Sequence, residues 1–357
     1  MILFAQQLLA YLSLSFVLIF FKDQNYELYS LILMYAIYTF LAFSSVLIVS
    51  TFNLRYSLLL GLLFYVILNL LLFLNWPHLS FWLYPVFGAA CFIFFWIPLN
   101  YIFFENCQKD THGREAAIYM VLSSLIGVFM PVLGASIIGW KSYAFLFILG
   151  ALLHLPLLFY VYHKVPSRTI STNLFRELKT FKGLKTITAA EGALHFFGGV
   201  VVPIYSLFFI FKVRDFGNFL AYIGLISLVI AFFVSSHSDK IKKRMGYLYF
   251  IFILIALSIL VLGFARNLFW WTVLVGVYTM FNNISAPLRL AVSLDVKKVT
   301  LGFWRMREIF LNFGRFLVLS LSFLFFYLEI YWPIFVLFSA IALAYPFLVH
   351  YKFSDLQ

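Results

Sequence analysis

Acidic residues are scarce in this chain, and charge of either sign is thin. Of 357 residues only 13 are Asp or Glu, against 25 Lys or Arg, and charged residues make up 11% of the whole. A water-soluble globule needs far more polar surface than that, so the composition excludes an ordinary soluble fold. Cysteine is nearly missing. Cys91 and Cys107 show no metal-ligand spacing, which argues against a disulfide framework and for two ordinary buried thiols. His78, His112 and His237 fall in loops without the spacing of a zinc site, so no metal is expected. The sequence has no G-x-S-x-G elbow, no P-loop and no H-E-x-x-H segment. Neither an enzyme nor a nucleotide-driven pump is expected, and no cofactor; any movement of cargo would run on a gradient.

What the chain has in abundance is apolar length. Hydrophobic residues make up 64%, and the mean hydropathy is +1.02. Twelve segments of membrane-spanning length follow one another, at 2–21, 29–50, 56–75, 81–104, 115–139, 141–162, 187–212, 217–236, 246–265, 267–290, 303–328 and 332–350. Each approaches the roughly 20 residues that a bilayer core demands. They are expected to be helices, because an isolated strand leaves its backbone groups unsatisfied in lipid. Met1–Phe21 lacks a basic leader and an A-x-A cleavage site, which predicts a retained first span. The fold expected is an all-α polytopic membrane protein, with twelve transmembrane helices in two pseudo-symmetric six-helix bundles.

The net charge of +12 is distributed as membrane topology requires, not as a nucleic-acid-binding face. Arg55, Lys109, Arg114, Lys240, Lys242, Lys243, Arg244, Lys297, Lys298, Arg305, Arg307 and Lys352 fall in one set of connections. The other set is short, carries few cations and leaves no room for an outer domain, which argues against receptors and membrane glycosyltransferases. The positive-inside rule then puts both termini in the cytoplasm of a prokaryotic-type inner membrane. Residues 1–162 form the first bundle, 163–186 a basic cytoplasmic linker and 187–357 the second bundle. In the linker, Leu174, Phe175, Leu178, Phe181 and Leu184 follow helical spacing, with Arg176, Lys179, Lys182 and Lys185 mostly opposite. Such a helix can lie on anionic lipids of the inner leaflet; a solvated linker with some helix fits equally.

The halves also resemble one another. Val49–Arg55 corresponds to Val234–Arg244, and the charged connection Glu105–Arg114 to Leu294–Arg307. At Asp239-Lys240-Ile241-Lys242-Lys243-Arg244 the chain resembles the major facilitator superfamily, whose signature between spans two and three has the form G-x-x-x-D-R-x-G-R-R and is often echoed between spans eight and nine. Lys242 replaces the inner glycine, and the first-half copy is reduced to Asn53 and Arg55. Pro131-Val-Leu-Gly134-Ala135 is similar to the G-P-x-x-G-G kink of the family's antiporters, with Met130 in place of the first glycine. The fourth span reads Phe94-Phe95-Trp96-Ile97-Pro98-Leu99-Asn100, without the arginine that proton-coupled members often carry. The resemblance implies two bundles rocking about a central cavity lined mainly by spans one, four, seven and ten.

Ionisable groups in hydrocarbon are costly, so each is a functional candidate. Glu191 and His195 lie four residues apart on one face of the seventh span and could hold a proton or cation. The plainer reading puts Glu191 in headgroup water near Lys185. In the eleventh span Glu308 and Arg315 lie two turns apart with Asn312 between them. By the resemblance this span sits between the bundles, which favours latching over cargo binding. Asp239, flanked by Lys240 and Arg244, is expected to meet the N-terminus of the fifth span and Arg114; the first-half equivalent is Arg55 against Glu308. His154 is expected to be structural. Trp96, Asn100, Tyr278, Asn282 and Asn283, with Tyr11 and Tyr205, are candidates for lining the cavity. Aromatics with few polar groups suit an amphipathic cargo, and one carboxylate would favour a cation. The function expected is a secondary transporter exporting a small organic solute, with protons as a candidate coupling ion. The alternatives are a lipid or glycolipid flippase and a non-transporting membrane scaffold or sensor; a membrane enzyme ranks last.

Overall fold

The structure, a computed structural model, describes residues 1–105, 112–237, 244–296 and 300–352. Side chains at 77, 112–120, 231–237, 244–245, 287 and 290–296 lie outside the description. Twelve long helical segments follow one another among the described residues. They are α1 Ile2–Asp23, α2 Leu28–Ile48, α3 Leu54–Phe73, α4 His78–Phe104, α5 His112–Trp140 and α6 Tyr143–Lys164, then α7 Lys185–Ser206, α8 Val213–His237, α9 Arg244–Leu262, α10 Leu268–Val296, α11 Leu301–Tyr327 and α12 Trp332–Lys352. Ten of these helices are long and apolar enough to cross a bilayer. The other two, α9 and α10, complete the expected succession; α10 is less apolar because Asn282, Asn283, Ser285 and Arg289 interrupt it.

Local chemistry sets the ends. The Asn53, Ser142, Asn267 and Thr300 side chains accept from the backbone N–H groups of Tyr56, Phe145, Trp270 and Phe303, so α3, α6, α10 and α11 each start on a capped turn. The α1–α2 and α3–α4 turns are tight because Asn25 (φ 64°) and Asn75 (φ 49°) adopt the left-handed region that asparagine tolerates. Large apolar side chains such as Phe129, Phe159 and Phe250 remain 60–68% exposed on the outside of the bundle. That outward apolar belt is what lipid requires and water forbids.

Two helix pairs join the halves. α2 and α11 run side by side: Tyr29 meets Tyr327 at 5.6 Å between ring centroids, Phe40 meets Phe316 at 5.2 Å and Phe43 meets Phe313 at 5.6 Å. α5 and α8 cross at Gly127 and Gly224, where a Cβ on Gly224 would lie 2.5 Å from the Gly127 carbonyl. Small residues of this kind let helix backbones meet where water provides no hydrophobic drive.

The linker is more tightly built than its composition predicts. Thr51–Asn53 (β1), just before α3, pairs antiparallel with Thr169–Ser171 (β2) in the linker, in the register Thr51 to Ser171 and Asn53 to Thr169. Thr172 adds backbone and side-chain bonds to the Ser50 carbonyl, and the Asn53 amide donates to Ser167 and Thr169. A short helix, Leu174–Thr180, follows. Only part of its apolar face is free for lipid. Phe175 is 77% exposed, but Phe181 and Leu184, just beyond the helix, are buried, and Phe181 stacks on Phe310 of α11 at 5.8 Å. The Glu177 carboxylate lies against Gly302 in the first turn of α11, where the positive end of the helix dipole favours it. The linker therefore ties a loop of the first half to α11 of the second.

Candidate functional site

Between the halves lies a cavity of about 730 Å³, within the range of pockets that take drug-sized ligands. Its walls come from α1, α2, α4 and α5 on one side and α7, α8, α10 and α11 on the other. Three of these helices lose regular geometry where they face it. α1 contains a 3₁₀ turn at Leu14–Phe16, and α4 and α7 contain wide π turns at Phe92–Trp96 and Phe197–Val201. Each π turn is followed two residues later by a proline, Pro98 or Pro203. A proline lacks the N–H that would bond the carbonyl four residues back and its ring crowds that carbonyl, so the turn before it opens. Such turns recur at functional sites.

α11 faces the cavity on one side and α2 on another. Trp304, Arg307, Glu308, Leu311 and Arg315 recur at helical spacing and all line the cavity. Arg305, Phe313, Phe316 and Tyr327 form the neighbouring stripe toward α2. The cavity face sits close to α7 because Gly192 and Gly314 lie at the crossing: a Cβ on Gly192 would strike the Leu311 carbonyl, and one on Gly314 the Ala189 carbonyl.

That approach brings two acid–base pairs together. Arg307 donates to the Glu191 Oε1 at 2.6 Å. Arg315 lies 3.8 Å from the Glu308 Oε2, donates to the Asn312 Oδ1 at 3.0 Å and reaches the His195 Nδ1 at 3.4 Å. The Arg315 guanidinium also sits over the rings of Phe92, at 5.2 Å, and Phe196, at 4.7 Å. All four charged side chains are nearly buried, and pairing is what makes burial of charge tolerable. Arg289 of α10 also lines the cavity and donates to the Asn282 Oδ1 at 3.1 Å. Among the described residues the facing wall carries no charged side chain and offers Gln7, Tyr11, Tyr35, Tyr38, Trp96 and Asn100. Trp96 is fixed there by donating to the Tyr65 hydroxyl at 3.1 Å.

Several expectations meet different geometry. Glu191 and His195 do share the cavity face of α7, but each is engaged by a different arginine of α11. Glu191 is 8% exposed, so it does not stand in headgroup water. The pairing of Arg55 with Glu308 does not occur: the Arg55 Nε donates to the Val165 carbonyl at 2.6 Å. Glu308 lies deeper, on the cavity face of α11, and the residue that meets the end of α2 is Arg305. The Arg305 Nε and Nη2 donate to the carbonyls of Val46 at 3.1 Å and Leu47 at 2.9 Å, and its Nη1 to the Thr172 hydroxyl at 2.9 Å. The last carbonyls of a helix have no partner within it, and a guanidinium fork suits them better than a carboxylate could.

Among the aromatic and amide candidates, Tyr11, Trp96, Asn100, Asn282 and Asn283 line the cavity. Tyr278 instead packs edge-on against Phe197 behind α7, and Tyr205 lies among Phe208, Trp271 and Phe335. His154 is buried, with its Nδ1 2.6 Å from the Gly150 carbonyl and its ring stacked on Tyr65. Asp239 and Lys240 lie outside the described residues, as do the side chains of Arg114 and Arg244. Gln7, Tyr35, Tyr38 and Arg289 were not singled out from the sequence, and Arg305 and Arg307, expected in a cation-rich connection, are instead buried within α11, where Arg307 lines the cavity. An arginine within an apolar stretch is the signal that could have found Arg289.

Each end of the cavity has a contact between halves. On the far side from the linker, the Lys22 ammonium at the end of α1 donates to the Leu207 carbonyl just after α7. On the linker side Arg305 holds α2, and Trp304 packs on Phe104 of α4 at 5.3 Å. Two helical halves with a polar cavity between them, joined by a few contacts at each end, are the architecture of a membrane carrier.

The Major Facilitator Superfamily model matches residues 1–303, and the chain belongs to that family. Its members are transmembrane transporters and generally non-enzymatic carriers. Among solved structures, the chain is similar to the human organic anion transporter MFSD10 (TETRAN), at 14% identity and a TM-score of 0.65, over 98% of each chain. It is also similar to a variant of the E. coli fucose:proton symporter FucP, at 12% identity and a TM-score of 0.67, over 98% of this chain and 97% of that one. FucP in the outward conformation gives 10% identity and a TM-score of 0.70 over the same shares. At these identities the likeness concerns the fold. No curated protein matches the sequence at a significant level.

Proposed function

We propose that this protein is a secondary transporter that carries a small organic solute through the central cavity by alternating access. The observation that carries the reading is the cavity itself: it lies between the halves, it holds paired buried charges, and small contacts bound it at each end. Breaking the linker-side contacts while keeping the far-side ones would open it to one face, and the reverse to the other. Two of the similar structures are named as an organic anion transporter and a fucose:proton symporter, both carriers of small organic solutes. Under this proposal the linker and both termini are cytoplasmic, the membrane is an inner membrane, and the direction is export. Protons are the coupling ion, with Glu191 and Glu308 as the carboxylates whose arginine partners exchange during the cycle.

The test is proton movement in proteoliposomes of the purified protein, with wild type and Glu191→Gln compared across a panel of solutes. A solute-triggered pH change that is lost in the variant supports transport and coupling together. Solute uptake without a pH change keeps transport and removes proton coupling. Movement of fluorescent lipid with no solute uptake identifies a flippase, and neither activity identifies a scaffold or sensor.

A further inference from the structure

One nitrogen of the His195 ring is taken, and that fixes what the other does. The Arg315 Nη2 lies 3.4 Å from the His195 Nδ1. A guanidinium has only N–H groups to offer and never accepts, so at this contact Nδ1 is the acceptor and carries no proton. In a neutral imidazole the proton is then on Nε2, which makes that nitrogen a donor. The assignment rests on the direct contact, not on the balance of charge around the cavity.

Arg315 is held where it makes that contact. Its Nη1 donates to the Asn312 Oδ1 at 3.0 Å, Asn312 donates in turn to the Glu308 carbonyl at 2.9 Å, and the guanidinium sits over the Phe196 ring at 4.7 Å. The buried α11 side therefore sets the tautomer of an α7 ring. His195 itself is exposed although Leu194 and Phe196 beside it are buried, and the space it opens to is the cavity. One turn further on, Gly199 lines the same cavity and is likewise exposed; a Cβ there would meet nothing within 4 Å. Where its π turn Phe197–Val201 begins, α7 thus offers an open recess and a single N–H donor on one face. A few placed polar groups of this kind are what orient a ligand in a largely apolar pocket.

We propose that His195 is a solute-binding residue whose Nε2–H donates to an oxygen acceptor of the cargo, a carbonyl, carboxylate or hydroxyl oxygen seated in the recess at Gly199. An ammonium, which has only donors, is refused at this position. Arg315 acts on the solute through the ring, as a positioning residue. The proposal rests on the transporter reading above and deepens it by naming a contact and the chemistry it selects.

The experiment is nitrogen NMR on the full-length protein in nanodiscs with isotope-labelled histidine, the His195 signals being identified by their loss in His195→Gln. The expected result at neutral pH is an unprotonated Nδ1 and a protonated Nε2. Benzamide and benzylammonium, probes of similar shape with and without an acceptor oxygen, are then added. Benzamide should shift the Nε2 signal and benzylammonium should not, and Gly199→Leu, which fills the recess, should abolish the benzamide shift. Thermal stabilisation by benzamide compares the His195 variants. His195→Gln keeps an N–H near the Nε2 position and should keep most of the affinity. His195→Asn reaches only to the Nδ1 position and should lose roughly tenfold, the scale of one hydrogen bond. A histidine that only supports packing would not separate these two. Should either variant fail to fold, the tautomer and the Gly199→Leu arm carry the test. A proton on Nδ1, an equal shift with benzylammonium, or no benzamide shift up to its solubility limit overturns the proposal. Proteoliposome uptake of any solute in that case leaves the transporter reading standing, so the two fail separately.

Discussion

Replacing Arg305 should loosen the linker side of the molecule. Its guanidinium is almost fully buried and donates three hydrogen bonds, two to the terminal carbonyls of α2 and one to Thr172 of the linker. Only the bonds to Val46 and Leu47 cross between helices of the two halves. Hydrogen bonds from charged donors contribute roughly 1.5–3 kcal/mol each, so Arg305→Ala should cost about 3 kcal/mol of closure at the low end of that range. At about 1.4 kcal/mol per decade this shifts the balance roughly 100-fold toward the form open on the linker side. Lysine keeps the charge but cannot fork to three acceptors, so Arg305→Lys should fall between. Spin labels at positions 162 and 351, both well exposed and in different halves, report the separation by electron–electron double resonance. Arg305→Ala should lengthen the distance distribution, with Arg305→Lys intermediate. An unchanged distribution in a well-folded Arg305→Ala protein would refute the assignment of Arg305 as the latch.

Gly314→Ala should push α7 from α11, because the new methyl meets the Ala189 carbonyl; overpacking costs about 1–3 kcal/mol, read as a lower thermal midpoint with loss of transport. Glu191→Gln strands the buried Arg307 and should destabilise by roughly 3–5 kcal/mol. The double variant Glu191→Gln with Arg307→Gln should recover part of that loss in thermal unfolding. At the linker, Glu105 is held below the usual carboxylate range, first by the Tyr101 hydroxyl, which donates to it at 2.5 Å, against the opposing effect of burial, and then by Arg168 at 2.6 Å. A carboxyl depressed in the folded state adds stability above its unfolded pKa of about 4.3 and loses it as pH falls through the lower folded value. The stability difference between wild type and Glu105→Gln should therefore hold at pH 6 and shrink below about pH 4. It should be small, since Arg168 is 54% exposed.

The architecture was legible in the sequence because a bilayer imposes one strong rule. Apolar segments of fixed length, separated by connections that alternate in cation content, leave few folds open, and the helices from Ile2 to Lys352 follow that order. The candidate site was only partly legible. Glu191, His195, Asn282 and Asn283 stood out as polar groups in apolar stretches, and all four line the cavity. Their partners did not follow from spacing along one helix. Glu191 and His195 are neighbours on α7, yet the groups that engage them come from α11, brought near by two glycines that carry no chemical signal of their own. Arg305 and Arg307 differ by two residues in sequence and face opposite tasks, one the end of α2 and the other the cavity. Helical phase separates them, but only packing says what each phase faces. The β1–β2 ribbon is three residues a side, too short for any alternation pattern to announce it.

Alternating access, as proposed, would open the cavity to each face of the membrane in turn, and thiol modification detects that opening. A single cysteine at Ser15, which lines the cavity, in a protein with Cys91 and Cys107 replaced, can be probed with a membrane-impermeant maleimide from either face of oriented vesicles. Modification is expected from both faces, with Arg305→Ala raising the rate from the linker side and lowering it from the other. Modification from one face alone, or from both with no opposed change in Arg305→Ala, would contradict alternating access.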